Sequence, residues 1–208
     1  MALLRSGTGY DTSPIIRGKH VVLRAAQMSD YPSWAELRAL SREHLAPWEP
    51  EWALDELTRA SFRRRVRHYQ REANDDMGYA FLVFFGSSRQ STGRAPSVIG
   101  GVTLTNVRRG VTQAATLGYW LGQPYVGQGL MYDALRALVP FAFDILRLHR
   151  IEAAVMPSNG PSLRLLENMG FQREGVARRY LKIRGNWEDH ITHALLAEDV
   201  ERPVGVNA

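Results

Sequence analysis

The chain predicts a single mixed α/β domain, and three observations carry that prediction. Short β-branched and aromatic runs alternate with amphipathic segments of helical period, the pattern of a sheet flanked by helices. One such run, beginning at Gly118, passes through a glycine-rich turn directly into a helical segment that reaches Leu135. The length of 208 residues, with 45% hydrophobic and 23% charged side chains, matches one globular domain. A compact fold of this size removes roughly 70% of its unfolded surface from water, so it needs no cross-links to hold a core. The expected domain spans residues 1–208, with a loose Gly/Ser/Thr/Pro-rich arm at 1–18 and a loose tail at 201–208.

The elements follow in order. His20 to Ala26 reads as the first strand, and Asp30 reads as the N-cap of an amphipathic helix through Leu40, with Pro32 in its first turn. Asp55 to Tyr69 reads as a second helix, and Arg63, Arg64, Arg65, Arg67 and Arg71 cover more than one of its faces. Tyr79–Phe85 is a buried-strand run, followed by a polar loop over 86–97. Ser97 to Thr105 and Gln113 to Leu121 give two further strands with a turn near Arg109 and Gly110. The second half alternates: a helix from about Gly129 to Leu146, a strand Ile151–Met156, a helix Pro161–Asn168 and a strand near Phe171. It ends with strands Ala177–Ile183 and Trp187–Leu196 around Arg184-Gly185-Asn186. Pro140 falls inside the long helix, where it removes a hydrogen bond to Arg136 and predicts a kink.

Composition removes several classes of chemistry. The chain has no cysteine, which excludes disulfides, thiolate zinc sites and a cysteine nucleophile, and fits a reducing cytoplasm. The longest apolar runs are far short of the roughly 20 residues of a membrane span. Ala2–Leu4 is too short an apolar patch for a signal peptide, so the expected location is cytoplasmic. His190 and His193 point to opposite faces of a strand, so no metal site is expected. No Gly-x-Ser-x-Gly elbow is present. The net charge of +5 favours acidic or phosphate-bearing partners.

The glycine turn carries the first functional signal. A strand–turn–helix junction leaves backbone N–H groups unpaired at the positive end of the helix dipole, a ready site for an anion such as a pyrophosphate. Gly127 and Gly129 allow close backbone approach. A nucleotide-hydrolysing loop would place Lys and Ser or Thr where Gln128 and Gly129 stand, and a dinucleotide fold would place a third glycine at Tyr132. About 30 residues on, Val155-Met-Pro-Ser-Asn-Gly-Pro-Ser reads as a strand end and a capped helix start, with Gly170 suited to the helix's far end.

Together these segments resemble the GNAT superfamily of N-acetyltransferases, over roughly residues 18–197. Within it the chain is similar to the RimJ type, which acetylates the N-terminal alanine of a ribosomal protein. The residues that carry this resemblance are Leu45-Ala-Pro-Trp-Glu-Pro, Gly127-Gln-Gly-Leu-Met, His149-Arg-Ile-Glu-Ala, Met156-Pro-Ser-Asn, Gly175-Val-Ala-Arg-Arg-Tyr-Leu and Gly185-Asn-Trp-Glu-Asp-His. The resemblance implies a mixed sheet of about six to seven strands flanked by about four helices, with acetyl-CoA as co-substrate. It implies that the backbone of Tyr119, Trp120 and Leu121 pairs with the pantetheine arm. Val126, Gly127, Gln128, Gly129, Leu130 and Met131 then hold the pyrophosphate, Asn159 bonds the pantetheine, and Ser162 lies near the sulfur. Val126 and Met131 depart from the superfamily loop, which commonly begins with Gln or Arg and ends with Gly or Ala.

The implied reaction is direct attack of an amine on the thioester, which needs a neutral amine, a stabilised oxyanion and a proton for the thiolate. Many superfamily members carry the acid, a Tyr, where this chain has Leu166, which leaves Ser162 as the expected donor. The expected base is Glu49, with Glu188 and Asp189 behind it; the acidic residue of some relatives is replaced here by Arg179. An α-amine of pKa about 8 is roughly one quarter neutral near pH 7.4, whereas a lysine at about 10.4 is only about 0.1% neutral. The missing strong base therefore favours an α-amine. The expected acceptor is a protein N-terminus, in a groove between the first two helices and the last two strands, lined by Trp48, Tyr180 and Trp187. Ribosomal or RNA contact through the basic 63–71 segment, and a monomer or homodimer, complete the expectation. A small-molecule amine acetyltransferase and a non-catalytic, CoA-responsive ribosome- or RNA-binding module are the alternatives.

Overall fold

The computed structural model describes residues 14–86 and 97–200. The expected polar loop, most of the N-terminal arm and the C-terminal tail thus lie outside the described residues. Among the described residues, eight strands form one sheet in the order β1-β2-β3-β4-β5-β6-β8-β7. They are β1 (Ile16–Arg17), β2 (Val21–Arg24), β3 (Tyr79–Phe85), β4 (Val98–Arg108), β5 (Ala114–Leu121), β6 (Arg150–Val155), β7 (Gln172–Ile183) and β8 (Asn186–Leu196). The α-helices are α1 (Tyr31–Leu40), α2 (Arg42–Leu45), α3 (Arg59–Asn74), α4 (Leu130–Pro140) and α5 (Gly160–Asn168). The α/β class holds, and the strand and helix numbers both exceed the expectation by about one.

Each difference has a local cause. The end of the expected loose arm is a strand: Ile16 and Arg17 pair with Leu23 and Val22. The turn between them is fixed because Asp133 of α4 accepts the N–H groups of Lys19 at 2.9 Å and His20 at 2.6 Å. Asp30 precedes α1 without capping it. Its carboxylate instead accepts two bonds from Arg24, at 2.8 and 2.7 Å, and one from the Gln27 N–H at 2.8 Å. The arginine-rich helix starts later than expected, because Thr58 is the residue whose side chain accepts the Ser61 N–H. The segment near Phe171 and the run Ala177–Ile183 are one strand, which two register shifts against β8 made look like two. The β7–β8 turn is Arg184–Gly185, both at positive φ (48° and 83°), the geometry a two-residue hairpin favours.

Two cores sandwich the sheet, and they explain the continuous apolar run of β3. Phe81 and Val83 join a larger core with α4, while Leu82 and Phe84 join a smaller one with Trp34 and Leu37 of α1 and Phe62 and Val66 of α3. A strand covered on both faces has no polar side to show. β5 divides likewise: Tyr119 and Leu121 pack toward the larger core and Trp120 toward the smaller. Pro140 ends the α-helical stretch, and Phe141–Ile145 continue it as a π-helix in which the Leu146 N–H reaches the Phe141 carbonyl at 2.9 Å. Where the sequence predicts a kink, the structure shows a change from α- to π-helical hydrogen bonding at the proline.

The feature that shapes the site lies in mid-sheet. β5 and β6 run parallel but pair only from Ala114 to Thr116, opposite Arg150 to Glu152. Beyond that seam the strands part, leaving Leu117 to Leu121 bonded to β4 alone. No helix among the described residues is long and apolar enough to cross a membrane.

Candidate active site

The glycine turn leaves the open end of β5 and enters α4. A 3-10 turn at Gln123–Tyr125 comes first, braced because the buried Ser41 hydroxyl accepts the Gln123 N–H at 2.9 Å. Gly127 and Gly129 follow at φ of 73° and 72°, a conformation that costs other L-residues about 1–2 kcal/mol. A Cβ at either position would meet nothing within 4 Å, so both faces are open. The first α4 bond to the turn runs from the Asp133 N–H to the Gly129 carbonyl at 3.0 Å. The N–H groups from Gly127 to Tyr132 have no acceptor among the described residues. They are free donors at a helix start, the feature on which the expectation of an anion site rests.

Across the parting of the strands, α5 supplies the opposite wall. Asn159 caps it, its Oδ1 accepting the Ser162 N–H at 3.2 Å. The Tyr119 hydroxyl donates to the Ser162 carbonyl at 3.4 Å, a long bond from β5 to α5. Burial raises the Tyr119 pKa above its ordinary 10, against a smaller lowering by the Ser162 bond, and the phenol stays protonated. Between these walls lies a cleft of about 1050 Å³.

A second cavity of about 480 Å³ opens on the α1/α3 side. Arg38, only 6% exposed, organises it. Its guanidinium gives two 2.7 Å bonds to Glu49 and lies between the rings of Trp52 and Trp120, 4.4 and 4.9 Å from their centroids. Trp52 Nε1 donates to Glu49 at 2.7 Å as well. A bidentate pair clamped by aromatic faces holds its geometry well. Trp120 reaches this position because Gly101 lies beneath it; a Cβ there would sit 2.5 Å from the indole nitrogen. Glu49, Tyr119 and Trp120 line both cavities.

Residues 20–172 match the acetyltransferase (GNAT) domain family. The chain belongs to the GNAT family of N-acetyltransferases. It is 37% identical over 188 residues to "Probable N-acetyltransferase YjcK" of Bacillus subtilis, covering 90% of this chain and 100% of that protein. It is 32% identical to the ribosomal protein uS5-alanine N-acetyltransferase of Escherichia coli, covering 86% and 89%. Among solved structures, Mycobacterium smegmatis RimJ in complex with CoA-disulfide superimposes with a TM-score of 0.80 at 31% identity, covering 92% of this chain and 90% of that one. The ribosomal-protein-S5-alanine acetyltransferase of Vibrio fischeri gives 0.79 at 30%, covering 91% and 100%.

In this GNAT chain the larger cleft gathers Tyr119, Trp120, Leu121, Val126, Gly127, Gly129, Leu130, Met131, Asn159, Ser162 and Glu49, nearly the whole set read from the sequence. Gln128 is the exception: its side chain braces the turn by donating to the Pro124 carbonyl at 2.9 Å. Glu188 and Asp189 line neither cavity, and Asp189 accepts the Arg179 N–H at the β7 bulge. Of the expected aromatic wall, Trp48 lines the cleft, while Tyr180 and Trp187 are exposed on the β7–β8 hairpin. That hairpin still closes on the site, its Arg184 N–H reaching the Glu49 carbonyl at 3.3 Å. Sequence reasoning missed the second cavity's Arg38 and Trp52, and read Arg65, which lines the same cavity, only as part of the basic helix. Arg38 could be found only as a charged residue on a buried helix face. In the basic helix, Arg64 and Arg65 pair with Asp55 and Glu56, which leaves less free charge than the sequence suggests. No group of metal-ligating side chains occurs among the described residues.

Proposed function

We propose that the chain transfers acetyl from acetyl-CoA to the α-amine of a protein N-terminus, as the RimJ-type relatives do with a ribosomal protein. The observation that carries this reading is a pair of cavities meeting at Glu49, Tyr119 and Trp120. The larger is sized for an extended thioester donor and ends in an anion cradle, while the smaller is sized for the end of a chain. The open edge of β5 from Leu117 to Leu121 suits an amide-bearing arm, because its β6 side has no ladder partner. The unpaired N–H groups from Gly127 to Met131 suit the pyrophosphate. The Asn159 carboxamide nitrogen and Ser162 face the arm from α5.

In this reading the residues bind and orient more than they perform acid–base work. A carboxylate has about four acceptor positions, and Arg38 and Trp52 occupy three of those on Glu49. The remaining one receives the incoming amine, or a water that takes its proton. That modest help suffices for an α-amine, roughly one quarter neutral near pH 7.4, and falls short for a lysine. The smaller cavity sets Glu49, Glu51 and Glu56 against Arg38 and Arg65, a local excess of negative charge in a basic protein. That balance suits a cationic amine. The reaction would take place in the cytoplasm, and exposed Arg63, Arg67 and Arg71 of α3 would supply any contact with ribosomal RNA.

Peptides beginning with Ala, Ser or Met, each with an internal lysine, test the reading when incubated with protein and acetyl-CoA and mapped by mass spectrometry. The expected product carries acetyl on an Ala or Ser N-terminus. Acetyl found only on lysine, or only on added small amines, would replace the proposed acceptor class.

A further inference from the structure

We propose that Tyr119, on β5, supplies the proton that the departing thiolate needs. The inference deepens the proposed reading and rests on it. Donor and acceptor approach from different cavities, so the bond-making atoms must meet where the cavities join. Three residues line both: Glu49, Tyr119 and Trp120. Of these, Glu49 accepts hydrogen bonds, and the Trp120 indole N–H does not ionise in this range. Tyr119 alone carries a transferable side-chain proton, and its ring lies on the larger-core face of the sheet, the donor's side, where the hydroxyl reaches Ser162 of α5.

Its present engagement is weak, which suits a donor in waiting. The phenol's bond to the Ser162 carbonyl is 3.4 Å long, at the far limit of O–H···O contact, so a thiolate in the cleft is a better acceptor. Leu166 of α5, the position from which the resemblance implies an acid, is fully buried and apolar. Ser162 lines only the larger cleft, and its aliphatic hydroxyl is a far weaker acid than a phenol. Burial keeps the Tyr119 proton in place over the working pH range.

The step balances as follows. The neutral amine forms a C–N bond to the thioester carbon, and the tetrahedral intermediate collapses by breaking the C–S bond. The sulfur takes the Tyr119 Oη proton. The nitrogen loses its extra proton to solvent through a water at the acceptor position that Arg38 and Trp52 leave on Glu49, and solvent water returns a proton to the phenolate.

Binding of CoA and desulfo-CoA at pH about 9, where a thiol of pKa about 8.5 is mostly thiolate, reads the contact without any acceptor. The wild-type protein is expected to prefer CoA about tenfold or more through a bond to a charged sulfur, and Tyr119→Phe is expected to lose that preference. The same variant is expected to lower kcat about 100-fold with the KM for acetyl-CoA within about threefold. Replacing Tyr119 by 3,5-difluorotyrosine keeps the ring's packing, makes the phenol more acidic, and is expected to change kcat. A sulfur preference that survives in Tyr119→Phe, or that Ser162→Ala alone abolishes, would overturn the proposal, as would an unchanged kcat in the fluorinated protein. Wild-type protein that shows the sulfur preference yet acetylates no peptide would instead defeat the acceptor reading.

Discussion

Gly129 shows how much a single residue decides. At φ of 72°, with nothing within 4 Å of a would-be Cβ, an alanine there clashes with no protein atom. It still costs about 1–2 kcal/mol of backbone strain, and its methyl stands in the open space before the unpaired N–H groups. Gly129→Ala is therefore expected to fold, with Tm lower by a few degrees, and to raise the KM for acetyl-CoA about tenfold or more at similar kcat. A KM within twofold of wild type would remove the turn from the binding site. The geometry of such positions was legible in the sequence, because glycine spacing reports backbone conformation directly. Arg38 was not legible. Its function depends on Trp52 and Trp120 closing over it from two other segments, and no local spacing encodes that meeting.

At the scale of elements, α5 shows one side chain serving two ends. Asn159 Oδ1 caps the helix, and Asn159 also lines the cleft, where the proposed reading assigns its amide nitrogen to the donor. Asn159→Ala is expected to lose both, costing about 1 kcal/mol of stability and weakening acetyl-CoA binding. Asn159→Asp keeps the cap acceptor and removes the donor, so Tm is expected to stay near wild type while acetyl-CoA binding still falls. Calorimetric binding beside thermal melts separates the two effects; equal binding by Asn159→Asp and wild type would confine Asn159 to capping. Strands with one uniform environment, such as β3, were readable to the residue. β7 was split in two, because its register shifts, the larger setting residues 178–180 against Asp189 alone, break the alternation that periodicity relies on. The parting of β5 and β6 left no trace in the sequence, since pairing between distant strands follows from how helices pack on either side.

For the whole molecule, charge couples stability to pH in one direction. Bonds from Arg150 hold Glu174 below its ordinary 4.5; burial works to raise Glu152, but bonds from Arg108 and Arg150 outweigh it. The Arg109 bond lowers Asp76 similarly. A depressed carboxylate contributes stability that is present above its unfolded pKa and lost as pH falls through the folded one. Burial lowers His193 below 6.5, so protonation favours the unfolded chain and stability falls as pH drops below that value. Denaturant midpoints are therefore expected to decline first from about pH 6.5 and again below about 4.5, and His193→Gln is expected to remove only the upper step. A midpoint that rises on acidification would contradict both signs. The seam at Ala114–Thr116 has a mechanical consequence as well. It joins a five-stranded half-sheet to a three-stranded one by a short zip, with the β7–β8 hairpin reaching back over the other half at Glu49. In the proposed reading a donor lying along Leu117–Leu121 and held by α5 would act as the missing length of strand, so its binding is expected to stiffen the joint. Amide protons at the seam are then expected to exchange more slowly in the loaded protein, which makes loosening of that seam part of the release of the spent thiol.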